Sequence, residues 1–467
     1  MRRSWLGLPP LAAVAAVLLA TGKGLYVSPD AVFYVGTARN WLDGHGFTPP
    51  AGVPPLEHFP PGFTVVLAAL GRLGVDPLTG ARVANALAMG GIVLLVGLVV
   101  RRWTGSVPAA LAASVLAACA VDLLALSGSA LSEPLFILLG FAGLVALAAY
   151  LDQPRPAVLA GASALVAAAL LVRYVGIALV VAGVAGLLWR RRWLAAGVFG
   201  AATLAPVALW LLWADGGAGD RSVVLHMFGA DYLGQAVRPL ARWVVPWPGP
   251  PAGFVIAVVL VVAGVVVTRR VPATPLTWLL VAFTVAYLAV LLANRAFTDA
   301  TGRLDARFLA PLHLVAILLA VPALHRLKPP ALTVAGALIV AQVAGALAWT
   351  AGGLTDDSIR RRGYTAAALE GSVLLANPGE PLYSNAPDAV YFVTGRPALA
   401  IPAEKDYLTG RSNPHYAEEL AALRGYIAYF DAITFKRSFQ PTRAELEAAL
   451  RLEVVSQDEV GTLYRIL

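Results

Sequence analysis

The stretch "YVSPDAVFYVGTARNWLDGHGFTPP", residues 26–50, concentrates polar and charged side chains directly after an apolar run. Asp30, Arg39, Asp43 and His45 all fall within it. The chain as a whole is 59% hydrophobic and only 13% charged, whereas a soluble domain carries about 25% charged residues. The composition therefore predicts a polytopic α-helical membrane protein, and we expect this stretch to lie at the membrane surface.

Ser28, Pro29 and Asp30 stand in the order that begins a helix. Serine suits the N-cap, proline the first helical position, and a carboxylate in the first turn is favoured by the helix dipole. Tyr34 and Trp41 follow at helical spacing, which predicts an amphipathic helix at the interface with both rings at headgroup depth. The glycines of "DGHG" can end it in left-handed conformations. From this pattern alone, Asp30 is either a helix-start residue or a functional acid.

Apolar runs long enough to cross a bilayer recur through residues 1–350, since a spanning helix needs about 20 apolar residues. The sequence predicts eleven spans, near residues 4–22, 80–100, 107–126, 133–151, 156–172, 174–189, 193–213, 252–268, 274–293, 307–324 and 331–350. The first run could be a signal peptide, but it exceeds the usual length and lacks a clean cleavage site, which favours an uncleaved span. The shorter run 60–75 is predicted to lie on or in the outer surface.

Basic residues predict the orientation. Clusters at the ends of alternate spans all fall on one side, at residues 2–3, 101–102, 155, 190–192, 269–270 and 326–328. The positive-inside rule makes that side cytoplasmic, with the N-terminus inside and a long first outer loop at residues 23–79. This asymmetry accounts for most of the net charge of +8, which therefore gives no indication of nucleic-acid binding.

The composition changes after residue 350. Residues 351–467 contain charged residues at the level of a soluble protein, and apolar segments such as "GYIAYF" and "LEVVSQ" alternate with helical segments such as "HYAEELAALR". This alternation predicts a small α/β domain, distinct from the transmembrane domain of residues 1–350. With an odd number of spans, it would lie outside the cytoplasmic membrane, over the outer loops.

Several motifs occur in an ordered series along most of the chain. They are "SPDAVFYVGTARNWLDGHGF", "HFPPGFTVVLAALGRLG", "SGSALSEPLFILLGFAGLVALAAYL", "RYVG", "RFLAPLHLVAILLA" and "PLYSNAPDAVYFVTGRP". In order and spacing they resemble the GT-C glycosyltransferases, in the branch of protein O-mannosyltransferases and aminoarabinose transferases. The resemblance implies a GT-C fold in a bacterial membrane enzyme. It also implies inverting transfer of a hexosyl or pentosyl group from a polyprenyl-phosphate carrier, at the outer membrane face, to a protein, lipid or cell-envelope glycan.

The resemblance also implies that Asp30 is catalytic. An acceptor hydroxyl needs a base, which a positioned carboxylate can supply. The departing phosphate is anionic and favours arginine, which can bind it through two hydrogen bonds. Arg173, Arg303 and Arg307 are the outer-face candidates for binding it, although each could instead be a side chain that extends to the membrane interface.

Three further residues are candidates for substrate binding. Glu133 lies at the outer end of a span, where an acid is usually functional or paired, although it could be a helix-start residue. Glu57 and His58 stand where the aminoarabinose transferases have a second charged pair, and His58 could contact phosphate or a metal. Many family members have two adjacent acids where this chain has Pro29 and Asp30. Use of a divalent metal ion therefore stays open.

Two other classes of protein fit a chain with many spans. A transporter or lipid-linked-sugar flippase would place charges near the middle of its spans, whereas the predicted spans are nearly free of charge and the acids gather at their outer ends. This favours chemistry at the interface. A non-catalytic membrane scaffold with a partner-binding C-terminal domain is the second alternative.

Overall fold

The computed structural model shows a predominantly helical chain with a small sheet near its C-terminal end. The structure describes residues 3–50, 56–214, 225, 229–249, 253–256, 272–298, 302–325, 329–355, 373, 377–406, 410–431, 439–457 and 461–467. The helices are α1 (Leu8–Ala20), α2 (Pro29–Leu42), α3 (Gly62–Arg72), α4 (Pro77–Thr104), α5 (Val107–Ala118), α6 (Val121–Ser127), α7 (Glu133–Asp152), α8 (Pro156–Val172), α9 (Ile177–Trp189), α10 (Trp193–Ala214), α11 (Ala230–Gly234), α12 (Val237–Arg242), α13 (Pro275–Phe297), α14 (Ala306–Leu324), α15 (Pro329–Thr355), α16 (Pro387–Thr394), α17 (Tyr416–Ala421) and α18 (Arg443–Ala449). The strands are β1 (Leu382–Ser384), β2 (Leu399–Ala400), β3 (Tyr426–Phe430), β4 (Leu452–Gln457) and β5 (Gly461–Ile466).

Ten of the predicted spans coincide with apolar helices. Six helices within the described ranges are long and apolar enough to cross a membrane, namely α4, α7, α10, α13, α14 and α15. The pair α5 and α6, bent by 55°, makes a seventh candidate if it is one span, and α1, α8 and α9 are shorter apolar helices. The predicted span at 252–268 lies mostly outside the described residues. The chain is an integral membrane protein, and the number of eleven spans stays a prediction.

Helix α2 begins and ends as its sequence predicts. The Ser28 hydroxyl accepts a hydrogen bond from the Ala31 amide at 3.4 Å, so serine is the N-cap. Gly44 and Gly46, which follow the helix, have φ angles of 83° and 80°. A side chain would be strained at both positions, and the glycines allow the chain to turn sharply away from the helix.

The prediction that α2 is an amphipathic helix on the membrane surface is wrong. Residues 31–38 are all buried. Tyr34 is only 1% exposed, and its ring packs edge-on against Phe59 and Phe63 with centroids 5.2 and 5.3 Å apart. It is therefore a core residue rather than a ring on the surface, whereas Trp41 remains 38% exposed. The helix is covered because α3 and the C-terminal region both pack on it.

The C-terminal sheet confirms the predicted α/β character of this region. Its strand order is β2-β1-β3-β5-β4. Strands β2, β1 and β3 are parallel, while β5 runs antiparallel to both β3 and β4. Strand β3 is buried along its whole length, with Ala428 and Phe430 in one apolar cluster and Ile427 and Tyr429 in another. The sheet therefore has a core on each face, as a strand covered by helices requires.

The C-terminal region contacts α2 directly through α16. The Tyr391 hydroxyl donates a hydrogen bond to Asn40 Oδ1 at 3.2 Å. Gly36 leaves room for this approach, because a Cβ atom there would lie 2.3 Å from Pro50 Cγ and 3.1 Å from the Tyr391 ring. The helix that carries Asp30 and the C-terminal sheet are therefore packed on the same end of the molecule.

This packing leads to a prediction about topology. A cysteine introduced at Glu418, an exposed position of α17, in a Cys119→Ala background should react with a membrane-impermeant maleimide in intact cells. Arg102→Cys, in the last turn of α4 on the predicted cytoplasmic side, is the matched control and should react only in inside-out vesicles. Labelling of Glu418→Cys exclusively in inside-out vesicles would contradict the predicted orientation.

Candidate active site

Two acids and two arginines that are distant in sequence form one continuous cluster. Arg307 Nη2 donates to Asp30 Oδ2 at 2.5 Å. The Nε atom of the same guanidinium donates to Glu133 Oε1. Arg173 Nη1 lies 2.7 Å from that same Glu133 oxygen. Arg307 thus bridges the two acids, and Glu133 bridges the two arginines.

Each of these four side chains lies at the end of a helix. Asp30 is in the first turn of α2, Glu133 is the first residue of α7, and Arg307 is the second residue of α14. Arg173 follows the last residue of α8 in an extended conformation. Three helix N-termini therefore converge here, and their unpaired amides and dipoles favour negative charge.

Burial makes the pairing within the cluster important. The Glu133 side chain is 3% exposed, and those of Arg173, Arg307 and Asp30 are 14%, 24% and 25% exposed. A buried charge is tolerated only when it is paired and hydrogen-bonded. Glu133 Oε2 is the exception, since it is buried without a hydrogen-bond partner among the described residues.

The cluster also sets the protonation state of Asp30. Burial alone would raise the pKa of this carboxyl, but the Arg307 guanidinium outweighs burial, and Arg173 and His58 add to its effect, so the pKa lies below its ordinary value of 3.8. Asp30 is therefore ionised at neutral pH. Among the described residues, its Oδ1 atom makes no hydrogen bond, which leaves one oxygen able to accept a proton.

Ser132, which the sequence does not single out, and Tyr34 support Arg173. Ser132 Oγ accepts a hydrogen bond from Arg173 Nη1 at 3.2 Å and lies 3.2 Å from the Tyr34 hydroxyl. Burial is the largest influence on Tyr34 and raises the pKa of its phenol well above the ordinary range, so the ring stays neutral and can donate. The only sequence signal for Ser132 is its position beside Glu133, where a serine suggests an N-cap; it makes no side-chain cap here.

Asp305 and Tyr287 fix the position of Arg307. Asp305 Oδ1 accepts a hydrogen bond from the Arg307 amide at 3.0 Å and caps α14. The Tyr287 hydroxyl, on α13, donates to the Phe308 carbonyl at 2.9 Å. An aspartate two residues before an arginine at the start of an apolar run is a readable N-cap signal, whereas the tyrosine contact leaves no mark in the sequence.

A cavity of about 230 Å³ adjoins the cluster. Tyr34, His58 and Arg173 form part of its polar wall, while Val290 and Leu291 of α13 form part of its apolar wall. A site for a lipid-linked polar group needs both kinds of wall next to each other.

The remaining candidates lie around the cluster rather than within it. His58 and Glu57 belong to a short 3₁₀-helix, Leu56–His58, and the Glu57 carbonyl accepts a hydrogen bond from the Tyr174 hydroxyl at 3.0 Å. Arg303 is exposed and makes no contact with the cluster among the described interactions. In the described part of the chain, no group of three or more His, Cys, Asp or Glu side chains could hold a metal ion.

Comparison with known proteins places this geometry in a known fold. No family model and no curated protein matches the chain. Among solved structures, it is similar to ArnT from Cupriavidus metallidurans, both bound to undecaprenyl phosphate and in the apo state. Each comparison gives a TM-score of 0.65 at 15% identity and covers 99% of this chain. It covers 98% of the ArnT chain in the bound structure and 97% in the apo structure.

The chain has the ArnT fold. The likeness over nearly the whole chain confirms the predicted fold, a helical GT-C architecture with a small C-terminal α/β region. The match covers the C-terminal region as well as the helices, because it extends over nearly the whole of both chains. The Asp30 cluster therefore lies within an architecture shared with ArnT from end to end.

Removing the Glu133 charge should destabilise the protein. Glu133→Gln leaves Arg173 and Arg307 buried without the carboxylate that both contact, and breaking a buried ion pair in this way costs about 3–5 kcal/mol. The melting temperature of the detergent-purified variant should fall well below that of the wild type. Glu418→Gln, which changes an acid with an 82% exposed side chain, is the matched control and should melt like the wild type. A melting temperature of Glu133→Gln equal to that of the wild type would contradict the structural role of the cluster.

Proposed function

We propose that this protein is an inverting glycosyltransferase that takes a sugar from a polyprenyl-phosphate carrier. The observation that carries the proposal is the buried cluster of Asp30, Glu133, Arg173 and Arg307 at the convergence of helix ends. The ArnT fold supports the choice of donor, because one ArnT structure contains undecaprenyl phosphate. The cavity beside the cluster offers polar and apolar walls to such a lipid.

The reaction needs a base and a site for the leaving phosphate. The acceptor hydroxyl oxygen attacks the anomeric carbon of the sugar, and its proton passes to Asp30 Oδ1. The bond between that carbon and the phosphate oxygen breaks, and the phosphate keeps the electron pair. A single displacement inverts the anomeric centre. Arg307 and Arg173 stabilise the negative charge that develops on the phosphate.

The charge balance of the cluster suggests how donor binding prepares the base. The two acids and two arginines sum to zero, so an incoming phosphate must compete with the acids for the guanidinium groups. When the phosphate takes hydrogen bonds from Arg307, Asp30 loses the partner that depresses its pKa. Asp30 then becomes a stronger base at the moment when the sugar is in place. Until then, the ion pair keeps it weakly basic.

The distribution of charges favours this reaction over transport. Helices α10 and α15 contain no Asp, Glu, Lys or Arg, and the only such residue of α14 is Arg307 in its first turn. In α7, the acids occupy the first and last positions. A transport path would require charged groups near the middle of the bilayer, whereas charges at helix ends suit chemistry at the interface.

Reaction at the outer membrane face is part of the same proposal. The positive-inside pattern of the sequence supports an outer position for Asp30, and the C-terminal region packs on the helix that carries it. The acceptor would then be a hydroxyl of an envelope component that reaches the site from the aqueous side.

Donor binding should depend on the arginines of the cluster. Arg307→Ala and Arg173→Ala each remove a charged hydrogen-bond donor, so undecaprenyl phosphate should bind about tenfold to a hundredfold more weakly. Arg303→Ala removes an exposed arginine of the same segment and is expected to have the smaller effect. Titration of the purified proteins, followed by native mass spectrometry, measures all three. Wild-type affinity in every variant would rule out the assigned phosphate contacts.

Asp30→Asn should abolish most turnover while leaving the protein folded. Loss of a positioned base lowers the rate by on the order of 10²-fold or more, and Arg307 keeps Glu133 as its partner. Asp76→Asn is the matched control, because Asp76 is also a helix-start acid paired with an arginine, Arg39, at 2.9 Å. It should lose little stability and no turnover. Melting temperature and single-turnover rate, measured on the same preparations, separate a base from a helix cap. A near-normal rate in Asp30→Asn would remove Asp30 as the base.

A further inference from the structure

The turn between α9 and α10 contains three consecutive arginines, Arg190, Arg191 and Arg192. The Arg191 amide donates to the Leu188 carbonyl at 2.8 Å, and the Arg192 amide donates to the Leu187 carbonyl at 2.9 Å. This pair of hydrogen bonds is the Schellman motif that closes many helices. It requires a left-handed residue at the position of Arg191, whose φ is 55°.

An arginine at this position is unexpected on conformational grounds. Glycine is the usual residue there, because the left-handed conformation brings the Cβ atom of other residues too close to the backbone. Among the described residues, Arg191 is the one non-glycine with a positive φ. By contrast, α4 ends with Gly105 in the same left-handed conformation, at φ 68°. Because glycine would adopt this conformation without strain, an arginine here indicates a function for the arginine side chain.

The side chain of Arg191 lines a groove of about 490 Å³ between the ends of α7, α8 and α10. Arg192 lines it as well, with its guanidinium carbon 5.3 Å from the centre of the Tyr150 ring. Leu159 and Val198 contribute to an apolar wall. None of the described residues that line the groove is acidic. The groove therefore combines two cations with an apolar surface.

This groove lies at the opposite end of the helices from the Asp30 cluster. Helix α8 has Arg173 of the cluster at one end and Pro156, which lines the groove, at the other. Its 17 residues separate the two by roughly 25 Å, close to the thickness of a bilayer core. Trp189 and Trp193, on either side of the arginines, are 56% and 67% exposed, as expected for indole rings at a membrane interface.

We propose that this groove binds the headgroup of an anionic phospholipid, with Arg191 and Arg192 on the phosphate and the acyl chains along the apolar wall. Basic grooves at helix ends are suited to such headgroups, because the phosphate meets guanidinium groups while the chains stay in lipid. Exposed tryptophans beside the groove place it at headgroup depth. The site is separate from the Asp30 cluster and does not depend on the proposed glycosyl transfer.

Replacement of Arg191 by glycine gives a test with two opposite readouts. Native mass spectrometry of the purified protein, titrated with phosphatidylglycerol or phosphatidylcholine, should show a preference for phosphatidylglycerol. Arg191→Gly should bind phosphatidylglycerol about fivefold more weakly, the effect expected for one basic residue at a lipid surface. Its melting temperature without added lipid should rise, because glycine relieves the backbone strain.

Two further variants separate charge from backbone. Arg191→Ala keeps the strained conformation and removes the charge, so phosphatidylglycerol binding should fall equally with no rise in melting temperature. Arg101→Ala removes an arginine at the end of α4, outside the groove, and should bind lipid like the wild type. The proposal is overturned if the wild type does not prefer phosphatidylglycerol, if Arg191→Gly binds it normally, or if inorganic phosphate without lipid competes with it at equal concentration.

Discussion

The bridging guanidinium of Arg307 is the interaction on which the candidate site depends. Arg307, at the start of α14, contacts both Asp30 on α2 and Glu133 on α7. It therefore links three helix ends and pairs the charges that meet there. Asp305 and Tyr287 hold the start of α14 from two sides. We therefore expect the Arg307 guanidinium to keep its hydrogen bonds to Asp30 and Glu133 unless another anion replaces one of the two carboxylates.

Helix α2, which carries Asp30, is enclosed by protein along residues 31–38. Gly36 allows Pro50 and Tyr391 to approach α2 closely, and the aromatic rings around Tyr34 fill the opposite side. The C-terminal region is part of this enclosure, because its Tyr391 reaches Asn40 of the same helix.

Sequence reasoning reaches the ends of elements more reliably than their surroundings. The start of α2 at Ser28, the apolar helices and strands β3 and β4 of the C-terminal sheet follow from local signals, whereas β2 and β5 are not predicted. Asp30 and Arg307 can each be singled out by position at a helix end, but their contact joins residues 277 positions apart, which no local pattern encodes. The burial of α2 was missed for the same reason, since helical periodicity does not reveal a cover that comes from Tyr391, 351 positions after Asn40.

The arginines at the two ends of the helices differ in burial and in pairing with acids. At the Asp30 end, acids and arginines are balanced in charge and largely shielded from solvent. In the proposed mechanism, an arriving phosphate exchanges one partner of Arg307 for another and avoids the desolvation of a bare cation. At the Arg191 end, Arg191 is exposed and Arg192 is half-buried, and no described acid of the groove balances their charge, which suits contact with an anionic surface. Burial and pairing therefore distinguish the arginines of the proposed catalytic cluster from those of the proposed lipid site.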